Sequence, residues 1–327
     1  MDSDLDAILS RYPAVARAND APEPLRNAGG LSGSTFWRYT SGLGPMLLRA
    51  WPVDGPPRRA LDIVHGWLAD AGDLGFIPLP VIGLDGQSLL ERAGRLWELT
   101  PWMPGAAETS QPPPLDRVRA AFAALAAFHQ RLSRHRALGA SPGMRGRLDE
   151  WLSWTGGGFD EVAQRIASRP DDPFSGLAAE WLAAARRRAA AIVEPWRRAT
   201  IVVVPLQPCL RDVRPEHFLF TGPLVTGLVD FGAMRIETVA ADLSRLLSEW
   251  SLHDPMTRGA ALNAYSSIRP LSADETTLIE VFDQSSAFLL GGHWVRWHFV
   301  EGRAFRDPGA VGRGIAKGLT RLATLPP

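Results

Sequence analysis

Leu210-Arg211-Asp212-Val213-Arg214-Pro215-Glu216-His217-Phe218-Leu219-Phe220 decides the fold, together with the turn Thr221-Gly222-Pro223, the run Leu224 to Val229 and then Asp230-Phe231-Gly232. Strand-forming runs on either side of Thr221-Gly222-Pro223 predict a hairpin that ends at Asp230. Upstream, Ile201-Val202-Val203-Val204 predicts a strand leading into the Asp212 loop. Downstream, Ala241-Asp242-Leu243 opens a helix. Asp-Phe-Gly alone is a weak signal. Strand, aspartate loop, hairpin, Asp-Phe-Gly and helix in that order form a far rarer combination.

Working toward the N-terminus, the pattern changes from helical to strand-like. Val118, Phe122, Leu125, Phe128 and Leu132 form an apolar stripe at helical spacing. Pro101 to Pro114 is rich in proline and glycine and reads as a connector. Before it, Thr35 to Thr40 and Met46 to Trp51 predict two strands, and Arg58 to Ala71 predicts a helix with Leu61, Val64, His65 and Leu68 on one face. Pro80-Val81-Ile82-Gly83 and Arg95 to Leu99 predict a further strand pair around Asp85-Gly86. Gly29-Gly30-Leu31-Ser32-Gly33-Ser34 is a turn cluster ahead of the first strand. Toward the C-terminus, helices are expected over Leu177 to Val193, Ala240 to Trp250, Asp274 to Phe282 and Ser286 to Val300, with breaks at Gly156-Gly157-Gly158 and Arg169 to Pro173.

Composition narrows the chemistry. The 327 residues are 46% hydrophobic with formal net charge zero, so no global field draws the chain to nucleic acid or to an anionic membrane. No apolar stretch is long enough to span a bilayer, and Met1 to Arg11 lacks the basic start and apolar run of a secretory signal. A cytoplasmic location is the expectation. Of 35 cationic residues only Lys317 is a lysine, so there is no lysine-containing P-loop. Cys209 is the only cysteine, which excludes an intrachain disulfide and a thiolate-rich metal site. No His-Glu-x-x-His pair is present, which disfavours a metallohydrolase reading.

From about Leu25 to the helix after Asp242, these segments resemble the aminoglycoside phosphotransferase and choline kinase-like branch of the protein-kinase-like fold. That branch carries a His-Gly-Asp-Leu-His-x-x-Asn-type loop, a strand-end aspartate before glycine or Phe-Gly, and an Asp-Leu-Ala-like helix start. The resemblance implies an α+β, two-lobed fold. Residues 1–100 would form a small β-rich nucleotide-binding lobe, with residues 1–24 a peripheral helix or tail, and residues 101–327 a larger, mainly helical catalytic and substrate lobe. It implies ATP-dependent phosphorylation of a hydroxyl on a small molecule, with Mg²⁺ or alternatively Mn²⁺. Asp212 then matches the catalytic base, with Arg211 beside it, and Asp230 matches the principal metal ligand. Gly30, Ser32, Gly33 and Ser34 resemble the nucleotide loop, Arg49 stands where a phosphate-gripping lysine is usual, and Glu98, Leu99 and Thr100 look like the hinge that meets the adenine. Asp242 is expected to brace the loop, and His129 to be a core histidine.

Three positions depart from the family pattern. Arg49 replaces the lysine, and a planar guanidinium is not interchangeable with an ammonium. The helix glutamate that usually partners the lysine has no match; Asp62 and His65 are the candidates, and register alone does not choose between them. His217 occupies the place of a metal-binding asparagine and either ligates the metal or only bonds the loop. These departures raise an alternative: a pseudokinase that binds nucleotide or metabolite without turnover. For the acceptor, Trp151, Trp154, Asp160, Glu161, His293, Trp294, Arg296, Trp297 and Glu301 are either pocket lining or helix packing. Oligomeric state is not legible.

Overall fold

The computed structural model describes residues 3–25, 33–250, 254–305 and 307–325. In chain order the elements run α1 (Ser3–Leu9), β1 (Glu23–Pro24), β2 (Thr35–Ser41), β3 (Gly44–Ala50), α2 (Arg58–Asp70), β4 (Leu90–Arg92), β5 (Arg95–Pro101), β6 (Ala106–Ala107) and α3 (Leu115–Leu132). They continue with β7 (Ala137–Ala140), α4 (Pro142–Ser153), α5 (Phe159–Ala167), α6 (Ser175–Ala199), β8 (Val203–Cys209), β9 (Phe218–Thr221) and β10 (Leu224–Leu228). Last come β11 (Arg235–Glu237), α7 (Val239–Glu249), α8 (Pro255–Ser266), α9 (Ala273–Val295) and α10 (Ala310–Thr324). Two compact units divide these elements, each assembled from separate stretches of sequence.

The first unit gathers Met1–His135, Leu210–Arg235 and Glu249–Pro270. Its larger sheet has the order β1-β2-β3-β5-β4, with every neighbour antiparallel. Side chains alternate across a strand, so β3 sends Met46, Leu48 and Ala50 into one core, where they meet Leu99 of β5, Tyr39, and Ile8 and Tyr12 from the α1 region. Arg49 and, two residues on, Trp51 face the other way. On that side Trp51 packs with Leu61 of α2 and Leu89 in a separate buried cluster. A smaller sheet, β10-β9-β6, forms the hairpin foreseen around Thr221-Gly222-Pro223 and adds a strand from the connector after β5. A bulge at Thr226 points its hydroxyl at the Pro104 carbonyl, 2.8 Å away. Gly105 is required beside it: its φ is +99°, and a Cβ there would lie 2.7 Å from the Phe220 carbonyl oxygen. On α3, Phe128 packs on Phe231, and buried His129 pairs through Nδ1 with the Tyr265 hydroxyl at 2.9 Å, as a core histidine should.

The second unit comprises Arg136–Cys209, Ile236–Ser248 and Leu271–Pro327. It holds the sheet β11-β8-β7 and a helical body in which α9 packs on α10 and α6. Gly291 and Gly292 on α9 admit the rings of Trp181 and Trp154, which would overlap any Cβ at those positions. Glu237, fully buried, accepts from Ser141 Oγ (2.6 Å), Gly143 N (2.7 Å) and Thr238 N (2.9 Å), satisfying the start of α4.

Several element expectations are corrected. Pro80 to Gly83 is not a strand: Pro78 and Pro80 lack N–H donors, and one bond, Val81 N to the Leu99 carbonyl (2.7 Å), ties the segment to β5. The hairpin forms instead around Ala93-Gly94, both with positive φ, between β4 and β5. The two C-terminal helices expected over Asp274 to Phe282 and Ser286 to Val300 are one helix, α9, running into a π-turn at Arg296–Val300. Ser285 does not break it, because its hydroxyl bonds the Phe282 carbonyl of its own helix (2.9 Å). The expected breaks hold: Gly156 and Gly157 leave helical geometry between α4 and α5.

Candidate active site

Arg49 is positioned by register. It stands opposite Phe36 of β2 and Glu98 of β5, so these three side chains share one face of the sheet. Its guanidinium carbon lies 3.3 Å from the Trp51 ring centroid and 5.2 Å from that of Phe36. Nε donates to Ser34 Oγ at 3.1 Å. Nη1 faces Glu98 Oε1 at 3.7 Å and Asp230 Oδ1 at 4.0 Å, which are ion pairs rather than hydrogen bonds. Among the described residues, Nη2 has no partner. Burial pulls the guanidinium below its ordinary range against the pull of Glu98 and Asp230, yet an arginine stays charged.

Glu98 is the hub of the cluster. Oε2 meets His65 Nε2 at 2.8 Å, and His65 Nδ1 meets Ser88 Oγ at 2.7 Å. A carboxylate only accepts, so Nε2 carries a proton, and in the neutral ring Nδ1 accepts from the Ser88 hydroxyl. Burial pushes the Glu98 carboxyl upward, but the His65 bond and the Arg49 charge outweigh it and hold the group below its usual range. Of the two helix candidates for this cluster, His65 is the buried one; Asp62 is exposed.

The carboxylates of the Leu210–Arg235 stretch occupy a different setting. Arg211 and Asp230 have φ of +68° and +67°, the left-handed region that L-residues enter only under constraint. The constraint on Asp230 is visible. Phe231 is buried against Phe128, Gly232 abuts Trp51 so closely that a Cβ would lie 2.6 Å from its ring, and Met234 N closes a turn on the Phe231 carbonyl at 3.0 Å. Just before it, Val229 N donates to the His217 carbonyl (3.0 Å), fastening the strand end to the Asp212 loop. His217 Nε2 then lies 3.7 Å from Asp230 Oδ2. Burial lowers the His217 pKa against the pull of Asp230, Glu216 and Asp212, so the ring is held toward its neutral form. Arg214 Nε faces Asp212 Oδ1 at 3.4 Å, and Nη1 faces Glu216 Oε1 at 3.6 Å. Burial opposes the Arg214 charge, but Asp212, Glu216 and Glu249 together raise its pKa.

The structure thus brings Ser34, Arg49, Glu98, His217 and Asp230 into one chain of contacts, with Asp212 beside Arg214 on the same loop. Gly33 has φ +69° and directly precedes Ser34. Gly30 and Ser32 lie outside the described residues. Leu99 points into the core, and Thr100 pairs with Leu47 in the β3–β5 ladder. In the second unit, Asp242 is buried in the first turn of α7. Trp151 and Trp154, which the sequence left as lining or packing, are packing: each is about 1% exposed among aromatic neighbours. His293 pairs with Glu150 at 2.8 Å and stacks on Trp297. Trp51 and Ser88 are the residues that the sequence reading missed. Trp51 had a signal: it lies two residues beyond Arg49 on the same run, and period-two geometry puts both on one face. Ser88 had none.

The chain is similar to known proteins in sequence and in fold. Residues 24–278 match the phosphotransferase enzyme family. A homoserine kinase of Sinorhizobium medicae is 27% identical over 215 residues, 64% of this chain and 60% of that protein, so the chain spans about three fifths of that relative's length. An aminoglycoside phosphotransferase of Alicyclobacillus acidocaldarius superposes with a TM-score of 0.66 at 17% identity, covering 98% of this chain and 94% of the other. The amicoumacin kinase hAmiN, solved with AMP-PNP, Ca²⁺ and Ami, gives 0.67 at 12% identity, covering 98% and 93%. Those two structures share the α+β, two-lobed kinase-like fold with this chain. No helix among the described residues is long and apolar enough to cross a membrane. By its sequence match over residues 24–278, the chain belongs to the phosphotransferase enzyme family.

Proposed function

We propose that the chain transfers a phosphoryl group from ATP to the hydroxyl of a small molecule. In this reading residues 1–100 supply the nucleotide side and residues 101–327 the carboxylates and the acceptor side. Asp212 accepts the proton of the attacking hydroxyl and orients it. Asp230 holds a divalent cation, with His217 as a second donor. Arg49 grips phosphate through the nitrogen that no described residue engages, Gly33 and Ser34 belong to the loop over the nucleotide, and Arg211 supports the base from its strained position. Leu99 and Thr100 contribute to the adenine hinge through their backbone, while Glu98, assigned to that hinge by sequence, serves the cation with its side chain. A half-exposed carboxylate beside a neutral imidazole suits a divalent cation; the imidazole favours Mn²⁺ relative to Mg²⁺, which prefers oxygen. When bound, the ion supplies charge neutralisation for the transferring phosphoryl oxygens.

The observation that carries this reading is the contact of Arg49 and His217 with Asp230, whose backbone is held at φ +67° so that its carboxylate stays half-exposed. Such strain persists where the surroundings impose it and a function uses it. The homoserine kinase relative makes homoserine the first acceptor to try, followed by amino alcohols and amino sugars. The test is ADP formation by purified protein with ATP, Mg²⁺ or Mn²⁺, and this acceptor panel. Wild type turns over and Asp212→Asn falls about 10³-fold, the size of a lost general base. Wild-type turnover no greater than that of Asp212→Asn would overturn the enzyme reading and leave a nucleotide- or metabolite-binding module.

A further inference from the structure

We propose that Glu98, a strand residue, is the positioning residue for Arg49, and that the polar link from helix α2 to the cation runs through it. The inference rests on the reading of Arg49 as the phosphate-gripping residue. In the family that the sequence resembles, a helix carboxylate holds the cation. Here the pairing residue has moved onto the neighbouring strand.

Register brings the pair together. Arg49 and Glu98 stand directly opposite in the antiparallel β3–β5 ladder. Side chains so placed start from Cβ atoms about 4.5–5.5 Å apart. Their meeting is therefore fixed by backbone hydrogen bonds and not by how a helix docks. The Glu98 carboxylate is divided between two partners. Glu98 is 12% exposed, and its two oxygens serve different partners: Oε1 faces Arg49, and Oε2 takes the His65 bond. His65 is fixed in turn by Ser88. The relay runs Ser88, His65, Glu98, Arg49, and α2 contributes a histidine to its middle.

A cradle of side chains surrounds the guanidinium. Trp51 lies under it, Phe36 flanks it, and Ser34 takes Nε. A planar, weakly hydrated cation suits this place, whereas an ammonium would lose both the stacking and the fork. Nη2, which has no partner among the described residues, is open to a phosphate oxygen. Because Arg49 and Glu98 stand on neighbouring strands of one sheet, their pairing needs neither nucleotide nor a movement of α2.

Two measurements test this. In urea unfolding, a double-mutant cycle of Arg49→Met with Glu98→Gln should show coupling of about tenfold in the folding equilibrium constant, and a cycle of Arg49→Met with exposed Asp62→Asn should show none. In steady-state kinetics, Glu98→Gln should raise KM for ATP about tenfold, the size of a lost charged contact, while KM for the acceptor stays within about twofold. Glu98→Asp should recover part of the loss, and Asp62→Asn should match wild type. If Glu98→Gln does not fold, Glu98→Asp in the same cycle and assay decides, since it keeps the charge but withdraws it from Arg49. Coupling at Asp62 in place of Glu98, or an unchanged KM for ATP in an active Glu98→Gln enzyme, overturns the proposal. A wild type without turnover sinks the functional reading alone; the unfolding cycle still decides what holds Arg49.

Discussion

The cation of the site and its carboxylates are built in opposite ways. Arg49 is about 11% exposed and belongs to a regular strand, with neighbours set by register. Asp212 and Asp230 are 40% and 50% exposed, and they sit on loops where Arg211 and Asp230 carry left-handed backbone. A buried charge is tolerable only when it is paired, so the cation side is part of the fold's own stability. An exposed carboxylate gains little from its surroundings and contributes little to stability. The contrast teaches where substitutions hurt: the cation side should fail in folding, the carboxylate side in turnover.

Arg49→Met offers the largest break of that contrast. It removes the guanidinium from Glu98 and from the Trp51 ring but leaves His65 bonded to Glu98. Removing one partner of a buried pair costs about 3–5 kcal/mol, and the retained His65 bond places this case at the low end, about 3 kcal/mol. Urea unfolding should show this loss for Arg49→Met, while Asp212→Asn stays within about 0.5 kcal/mol of wild type. Equal losses for the two variants would erase the distinction.

How much of this was legible in the sequence differs between the two sides. Asp212 and Asp230 were singled out because the hairpin between them has turn residues and strand-forming flanks, and that hairpin is present. Arg49 was found by its strand. Its partner was not, because helix spacing offers His65 and Asp62 without saying which element closes on the cation; the β3–β5 register, which brings in Glu98, is a tertiary fact. Glu98 was read as hinge backbone, and nothing local marks a side chain that turns back along the sheet. The turn at Ala93-Gly94 was missed in favour of Asp85-Gly86, since Asp-Gly is the stronger local signal and the two prolines upstream forbid the pairing it suggested. Discontinuity hid the rest: the first unit draws Leu210–Arg235 and Glu249–Pro270 back beside the N-terminal sheet, and no composition shift marks those joins.

Gly232 joins the two sides and gives a smaller, sharper test. A Cβ there would lie 2.6 Å from the far edge of the Trp51 ring, the same ring that carries the guanidinium. Trp51 is buried and cannot swing clear, so Gly232→Ala is an overpacking substitution costing about 1–3 kcal/mol. Shortening the ring in Gly232→Ala/Trp51→Phe should recover part of the melting temperature. A single variant as stable as wild type would show that the Asp-Phe-Gly turn yields freely, and then Trp51 could not link the cation to Asp230.

Two strained residues, one on each side, give the smallest effect and the cleanest comparison. Ala93 sits at φ +50° in the β4–β5 hairpin, and Asp230 at φ +67° at the site. Left-handed backbone costs an L-residue about 1–2 kcal/mol, which glycine relieves. Glycine gives back about 0.5–1 kcal/mol through the freedom of the unfolded chain. The net gain for Ala93→Gly is therefore about 0.5 kcal/mol, read as a small rise in urea midpoint with kcat unchanged. Asp230→Gly relieves the same strain but removes the carboxylate facing Arg49 and His217, so its stability stays near wild type while metal-dependent turnover disappears. If Ala93→Gly lowered kcat, or Asp230→Gly kept turnover, strain would not mark function at Asp230 any more than in an ordinary hairpin. The expected pair of results separates strain that a turn merely tolerates from strain that a reaction uses.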